Sequence, residues 1–517
     1  MRRNMLFLLA ALLIPVSAFA QQLPADFDAY VDRVLAEFEI PGAGVAIVAN
    51  GKVLVAKGYG VLDLETTAKA DEHSLFGIAS NSKAFTATAL GLLVEDGLLE
   101  WDRPVVDYLP WFRLSDPYVS AELTVRDLLV HRSGLAPYAG DLLWWPPTEL
   151  SRRTIAERLK YVPLSTSFRS TYAYDNVLYL VAGEIIQTLS GKTWEEFVEQ
   201  RILDVVGMTD SNVLHSAAGA GQNVARPHAR VDGVVRPIAP FASDNTNPAG
   251  GVNSSATDMA QWMLTHLNEG LTPSGVRLFG AQTARELRSP VTPIQPGTPD
   301  PLLAPMATDF QGYALGFHAM SYRGEFMLTH GGVLPGYFSR LAMIPGRRLG
   351  VVVMLNGESG RAHRAIVNHA LDLLMDAQPP HDWLTAYATL EANDLAAAGG
   401  DPFAWPDPPS NPVRMRADDV YIGRYEDPWY GSVFVEKGSM GLRMRFEHSP
   451  SLNGDLVHWD GDAFVARWDD RELRADAYVT FVVTPAAGGA GAIEMSWVSN
   501  ATDVSFDFHD LDLRRAR

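Results

Sequence analysis

The chain has no cysteine. That excludes disulfides, thiolate nucleophiles, cysteine zinc sites and a lipid-bearing N-terminal cysteine. Thirteen histidines are present, but none falls in an HExxH pair, so the helical zinc site of a zincin is not encoded. Positive charge is scarce too: 42 lysines and arginines face 61 aspartates and glutamates, a formal net charge of −19. So acidic a molecule repels phosphate backbones and anionic lipid, which argues against nucleic acid as a partner. Uncharged apolar runs are missing beyond the N-terminus, where no segment approaches the ~18 residues that a membrane span needs.

The N-terminus is the exception. MRRNMLFLLAALLIPVSAFA places Arg2 and Arg3 before an apolar run and ends on Ala18-Phe19-Ala20, a small-x-small cleavage pattern. It reads as a secretory signal, residues 1–20, cleaved after Ala20. The expectation is therefore an exported protein, periplasmic or secreted, with no integral membrane segment after cleavage. Losing two arginines and no acid takes the formal charge from −19 to −21. Roughly 500 mature residues are enough for two or more domains with substantial cores.

Helical spacing from Phe27 to Phe38 stops at Pro41-Gly42. Two β-rich runs then flank Asn50-Gly51, the strongest short-range hairpin signal. A helix-rich middle extends to about residue 290, and Leu271 to Asp309 is rich in Pro, Thr and Gly, as loops are. EFMLTHGG, YFSRLAMIP and LGVVVMLN restore strand character between Glu325 and Asn356, before the helical RAHRAIVNHALDLLMDA. Helix, two strands, many helices, three strands and a helix describe an α+β domain over residues 21–376. Its antiparallel sheet is built by both ends and flanked by helices, with a helical subdomain inserted. Residues 377–415 hold a connecting helix and a Pro/Gly-rich linker. Short alternating runs from 416 to 517, such as GSVFVEKG and AYVTFVVTP, predict a small all-β barrel or sandwich.

Three elements carry chemistry. In FGIASNSKAFTATAL, Ser80 and Lys83 are three apart and share a helix face that Ala87, Leu90 and Val94 continue inward. A lysine there sheds hydration, so its neutral amine becomes accessible and can take a proton from the serine hydroxyl. The plainer alternative is a serine cap beside a solvated lysine. Next, Tyr174-Asp175-Asn176 precedes an amphipathic helix that Gly191 ends. A Tyr and an Asn two apart on a loop can both face one cleft, or can simply make a turn. Third, a strand ends at His330, and Gly331-Gly332 allow close backbone approach. The N–H of Val333 would pair with that of Ser80 as an oxyanion site, and His330 offers a donor to an anionic group, unless the stretch is only a bulge with a surface histidine.

Taken together, in this order, these elements closely resemble the serine β-lactamase and penicillin-binding protein superfamily, above all its class C β-lactamase, DD-peptidase and esterase branch, peptidase S12-like. LTVRDLLVHRSGL and PAGGVNSSATDMAQWM strengthen the likeness, which runs from about residue 26 to 375. YIGRYEDPWYGSVFVEKGSMGLRM resembles the lipocalin-like barrel that some members carry. The resemblance implies Ser80 as acylated nucleophile, Lys83 as its base and Tyr174 as proton shuttle. It implies Asn176, His330, Gly331 and Gly332 in substrate binding, and backbone Ser80 and Val333 as the oxyanion hole. No metal or organic cofactor is implied. The substrate would be a small peptide, amide or ester; an oligomer is compatible. His330 stands where β-lactamases of this branch carry lysine, which speaks against strong β-lactamase activity. The rival readings are a true β-lactamase and a non-catalytic penicillin- or peptidoglycan-binding sensor.

Three further stretches bear on the cleft. His131 follows a short helix opened by Thr124 and Asp127 as a capping pair, and reads as structural. The tryptophans of DLLWWPP (Asp141 to Pro147) either line the cleft or cover the core. The Pro-rich run near residues 289 to 305 is a connection or a lid.

Overall fold

The computed structural model describes residues 23–217, 221, 223–439, 441–483 and 489–516. The expected leader, residues 1–20, lies outside them.

Asn50 (φ 52°) and Gly51 (φ 78°) both take the positive φ that a two-residue hairpin turn demands. They join the strands Gly42–Ala49 and Lys52–Gly60. Gly42–Ala49 is buried along its whole length because Leu349–Leu355 pairs on its other side, with Val45 opposite Val353. Tyr337–Ile344 and Glu325–Leu334 follow, then His318–Tyr322, Gln311–Tyr313 and Thr292–Pro293, giving eight strands in one sheet. All of its pairings are antiparallel. Both ends of the first domain therefore build the sheet, as the element order suggests. Thr292–Pro293 falls in the stretch expected to be loop; two residues at a sheet margin carry no periodicity to read.

Alternation along Glu325–Leu334 sends Leu328 to one face of the sheet and Met327 to the other. The first face packs against helix Ala256–Leu267, with helices Lys83–Glu95 and Val177–Ser190 in the same core. The second is covered by Phe27–Glu37 and Ala362–Leu374. Helix Trp383–Ala397 joins that second core: Trp383 is fully buried, donates its indole N–H to Asp372 at 2.8 Å and stacks on Tyr387. The stretch expected as a linker thus begins inside the first domain's core, and the extended connection comes only after residue 397. Flanking prolines and glycines hide the apolar surface of Trp383 and Tyr387 from a composition-based reading.

The C-terminal strands, from Gly423–Asp427 to Leu513–Arg515, close into an eight-stranded antiparallel barrel. Period-two burial in Leu442–Phe446 puts Leu442, Met444 and Phe446 inside. Closure leaves no open edge to aggregate. The barrel docks on the first domain through half-buried ties. Glu358 accepts both guanidinium arms of Arg474 at 2.6 Å, Glu472 accepts from Arg236 at 2.7 Å, and Arg158 donates to the carbonyls of Trp429 and Tyr430. Among the described residues, no helix is long and apolar enough to cross a membrane.

Candidate active site

Ser80 is delivered by a strained turn. After the short strand Phe76–Gly77, Ala79 adopts φ 50°, left-handed for a residue with a side chain. Such a conformation costs ~1–2 kcal/mol and persists only where the surroundings enforce it. The enforcement is visible. Asn81 donates to Ser339 Oγ at 2.8 Å, Ser339 donates to the Ile78 carbonyl at 2.7 Å, and the Val252 N–H donates to Ser82 Oγ at 3.0 Å. Gly332 completes the fit, since a Cβ there would stand 2.2 Å from the Ile78 oxygen. Gly331 has no such constraint; nothing would lie within 3.8 Å of its Cβ. Ser80 itself occupies a 3₁₀ turn, Ala79–Ser82, just before helix Lys83–Glu95 rather than the helix's own first turn.

That helix is more deeply sunk than one apolar face requires: every residue from Lys83 to Leu93 is buried. Lys83 has zero exposure. Its Nζ lies 3.1 Å from Ser80 Oγ and donates to Asn176 Oδ1 at 2.8 Å and to the Ala249 carbonyl at 3.0 Å. Burial pushes the amine down to about 7, against the upward pull of Asp141 and Asp175. Near neutrality a substantial share of it is free base.

Asn176 differs from the expectation of a substrate-binding amide. Its oxygen accepts from Lys83 and its nitrogen donates to Asp141 Oδ2 at 2.8 Å, so it bridges the lysine to a buried carboxylate. Lysine only donates, which fixes the amide's orientation. Tyr174 stands beside Ser80 in the cleft: burial raises its phenol well above the ordinary value, and the neighbouring Ser80 hydroxyl pulls it the other way. The loop carrying it is pinned by His131, whose carbonyl accepts from Ala173 N–H at 2.9 Å and whose Nδ1 accepts from Asp175 N–H at 3.1 Å. The structural reading of His131 therefore fits its contacts.

His330 is also placed differently from expectation. Its Nδ1 donates to the Gly331 carbonyl at 2.6 Å, so Nε2 is the acceptor facing the Tyr313 hydroxyl at 2.9 Å. It is 3% exposed, and burial holds it well below its ordinary value, hence neutral. Both ring nitrogens are occupied, and no charge is offered to an anionic group. The strand's pairing with His318–Tyr322 ends at Thr329, so its edge from His330 to Leu334 borders the cleft. Val333 lies on that edge, 46% exposed.

Asp141 escaped the sequence reading. It is fully buried, accepts from Asn176, from the Trp144 indole at 2.9 Å and from the Ser505 hydroxyl at 2.9 Å, and burial pushes it up to about 7. Ser505 belongs to the barrel domain. Two residues on, Asp507 accepts from the Gly140 and Leu142 N–H groups at 2.8 and 3.0 Å, clamping the loop on either side of Asp141. Burial drives the Asp507 carboxyl well up. An acid set among Leu-Leu-Trp-Trp was the only local hint; nothing near Ser505 pointed at the cleft.

The cleft encloses about 670 Å³, with Ser80, Tyr174 and Asn176 on one side, the His330–Leu334 edge on another, and Trp144 and Trp145 beneath Asp503–Ser505. Both tryptophans thus line it while remaining at most 5% exposed. The Pro-rich run is anchored rather than free, since Thr292 pairs with Tyr313, though Leu303 and Met306 reach the cleft. Among the described residues, no group of three or more His, Asp or Glu is placed to hold a metal ion.

Residues 27–375 match the Beta-lactamase family profile. The chain belongs to that family. Residues 407–515 match a domain of unknown function, DUF3471. Among Beta-lactamase family relatives, an unguisins hydrolase of Aspergillus violaceofuscus is 27% identical over 92% of this chain and 88% of its own. Penicillin-binding protein 4 of Amycolatopsis lactamdurans is 28% identical over 63% of this chain and 83% of its own. The octameric penicillin-binding protein homologue from Pyrococcus abyssi superposes with a TM-score of 0.58 at 19% identity, covering 94% of this chain and 99% of that one. The last shares the fold with this Beta-lactamase family chain through both domains.

Proposed function

We propose that the protein is an exported serine hydrolase that works through an acyl-enzyme on small peptide, amide or ester substrates. The observation that carries this reading is a fully buried lysine amine, pushed down to about 7, that lies 3.1 Å from a half-buried serine hydroxyl opening on a cleft. Lys83 takes the Ser80 proton as Oγ attacks the substrate carbonyl carbon. The developing oxyanion is met by the backbone N–H groups of Ser80 and Val333, each worth ~10²–10³ in rate. Tyr174 passes a proton to the leaving amine or alcohol as its bond to the carbonyl carbon breaks. Water then attacks the ester carbon with Tyr174 and Lys83 managing protons; the Ser80–acyl bond breaks and Oγ is reprotonated.

A relative named as a hydrolase aligns across both domains, which supports turnover over mere binding. Neutral, committed His330 weighs against a β-lactamase that must hold a carboxylate.

The test is intact-mass detection after treatment with a fluorophosphonate and, separately, a penicillin, alongside turnover of p-nitrophenyl esters, D-amino-acid amides and nitrocefin. A single adduct on Ser80, lost in Ser80→Ala together with ester or amide turnover, is the expected result. No adduct and no turnover would leave the sensor reading; fast nitrocefin hydrolysis would leave the β-lactamase one.

A further inference from the structure

A second cavity of about 590 Å³ adjoins the catalytic cleft. The two share Trp145, Val333, Leu334 and Asp503, so they meet along a common wall. The size is that of a pocket for a small organic group.

Its walls come from three places. Trp145 and Phe241 stand on the helical side, Leu334 and Phe338 on the strands beyond the nucleophile, and Phe403 and Phe506 on the connection and the barrel. Trp145 lies against Phe241 with ring centroids 4.8 Å apart and edge-on to Phe506 at 6.3 Å. Most of the charge in its lining is already matched: Glu358 is paired with Arg474, Glu472 with Arg236 and Glu391 with Arg361, while Asp470 accepts from the Glu472 N–H at 3.0 Å. Asp503, on the shared wall, is pushed up by burial and accepts from the Ser505 N–H at 2.9 Å. What such a space offers an occupant is aromatic and aliphatic surface.

The strand edge from His330 to Leu334 runs out of the catalytic cleft and into this chamber. A substrate lying along that edge with its scissile carbonyl at Ser80 places a neighbouring substituent past Val333 and into the chamber. We propose that this two-domain chamber is a specificity subsite for a large, uncharged apolar substituent of the substrate, an aromatic or branched aliphatic side chain next to the scissile bond. The inference rests on the hydrolase reading and narrows its substrate class.

The experiment uses the full chain and two ester series. One has a fixed p-nitrophenol leaving group and acyl chains from acetyl to 4-phenylbutyryl. The other has a fixed small acyl group and alcohols of rising apolar size. In one of the two, kcat/KM climbs by about 10- to 100-fold from the smallest to the phenyl-bearing member, the discrimination an apolar pocket provides. In Phe403→Ala and Phe338→Ala, both at half-buried positions, the ratio of large to small substrate falls at least several-fold. A ratio within one preparation is insensitive to how much of it is folded. A flat response in both series, or a ratio unchanged in both variants, overturns the proposal even if Ser80 is acylated as expected. If no ester is turned over, calorimetric binding of 4-phenylbutyramide to the Ser80→Ala protein decides. Binding that weakens when Phe403→Ala is added supports the chamber, and no binding overturns it.

Discussion

Asp141→Asn removes the charge while the new amide's oxygen can still accept from Asn176 and Ser505; its NH2 then faces the Trp144 indole, whose hydrogen bond is lost. Two carboxylates, Asp141 and Asp175, hold up the Lys83 amine that burial pushes down to about 7. Removing one of them lets the ammonium lose its proton more readily. At ~7 Å, the span of two hydrogen bonds bridged by one amide, the pair interacts by ~2.4 kcal/mol for an effective dielectric of about 20. Asp141 is itself pushed up to about 7, so near neutrality it carries only part of its charge. The effect on the amine then shrinks to about one pH unit. Catalysis needs the free base, which in the variant survives to lower pH, so the acid limb of kcat/KM moves down by about one unit. The assay is kcat/KM for a chromogenic ester from about pH 5 to about pH 9, since that ratio reports groups of the free enzyme. A limb that stays in place, or moves up, refutes the account of Lys83.

Tyr174→Phe removes the phenol beside Ser80 and should cut turnover by about 10²–10⁴-fold while the fluorophosphonate still labels Ser80, read by mass over time. Asp507→Ala leaves two buried N–H groups unpaired at ~1–3 kcal/mol each; Gly140 and Leu142 amide exchange should accelerate and kcat/KM should fall, with Asp507→Asn in between. Gly332→Ala forces a methyl against the Ile78 oxygen, and we expect lower acylation of Ser80 with a smaller loss for Gly331→Ala, whose Cβ meets only ordinary contacts at 3.8 Å.

Local signals were the legible ones. Asn50-Gly51 set a hairpin through backbone sterics alone, Thr124 and Asp127 form a reciprocal cap within four residues, and the i,i+3 spacing brought Ser80 to Lys83. The Asn176 amide pointed at the right neighbourhood but not at its partners, since Lys83 and Asp141 come from separate segments. The partner of His330 was hidden for the same reason: Tyr313 sits on a short strand that has no pattern of its own. Ser505 and Asp507 act on residues more than 360 positions earlier, a relation that no periodicity encodes. Trp383 was hidden by its proline-rich company rather than by distance.

The clamp from Asp507 to Gly140 spans 367 positions along the chain. During synthesis Ser80, Lys83 and Tyr174 are all made long before the residue that secures the Asp141 loop leaves the ribosome. A chain cut short between Val333 and Ser505 would carry Ser80, Lys83, Tyr174 and the Val333 edge and still lack the brace around them. Competence to hydrolyse is thereby tied to synthesis of the barrel, and a stop codon just ahead of Ser505 should be as damaging as one far upstream.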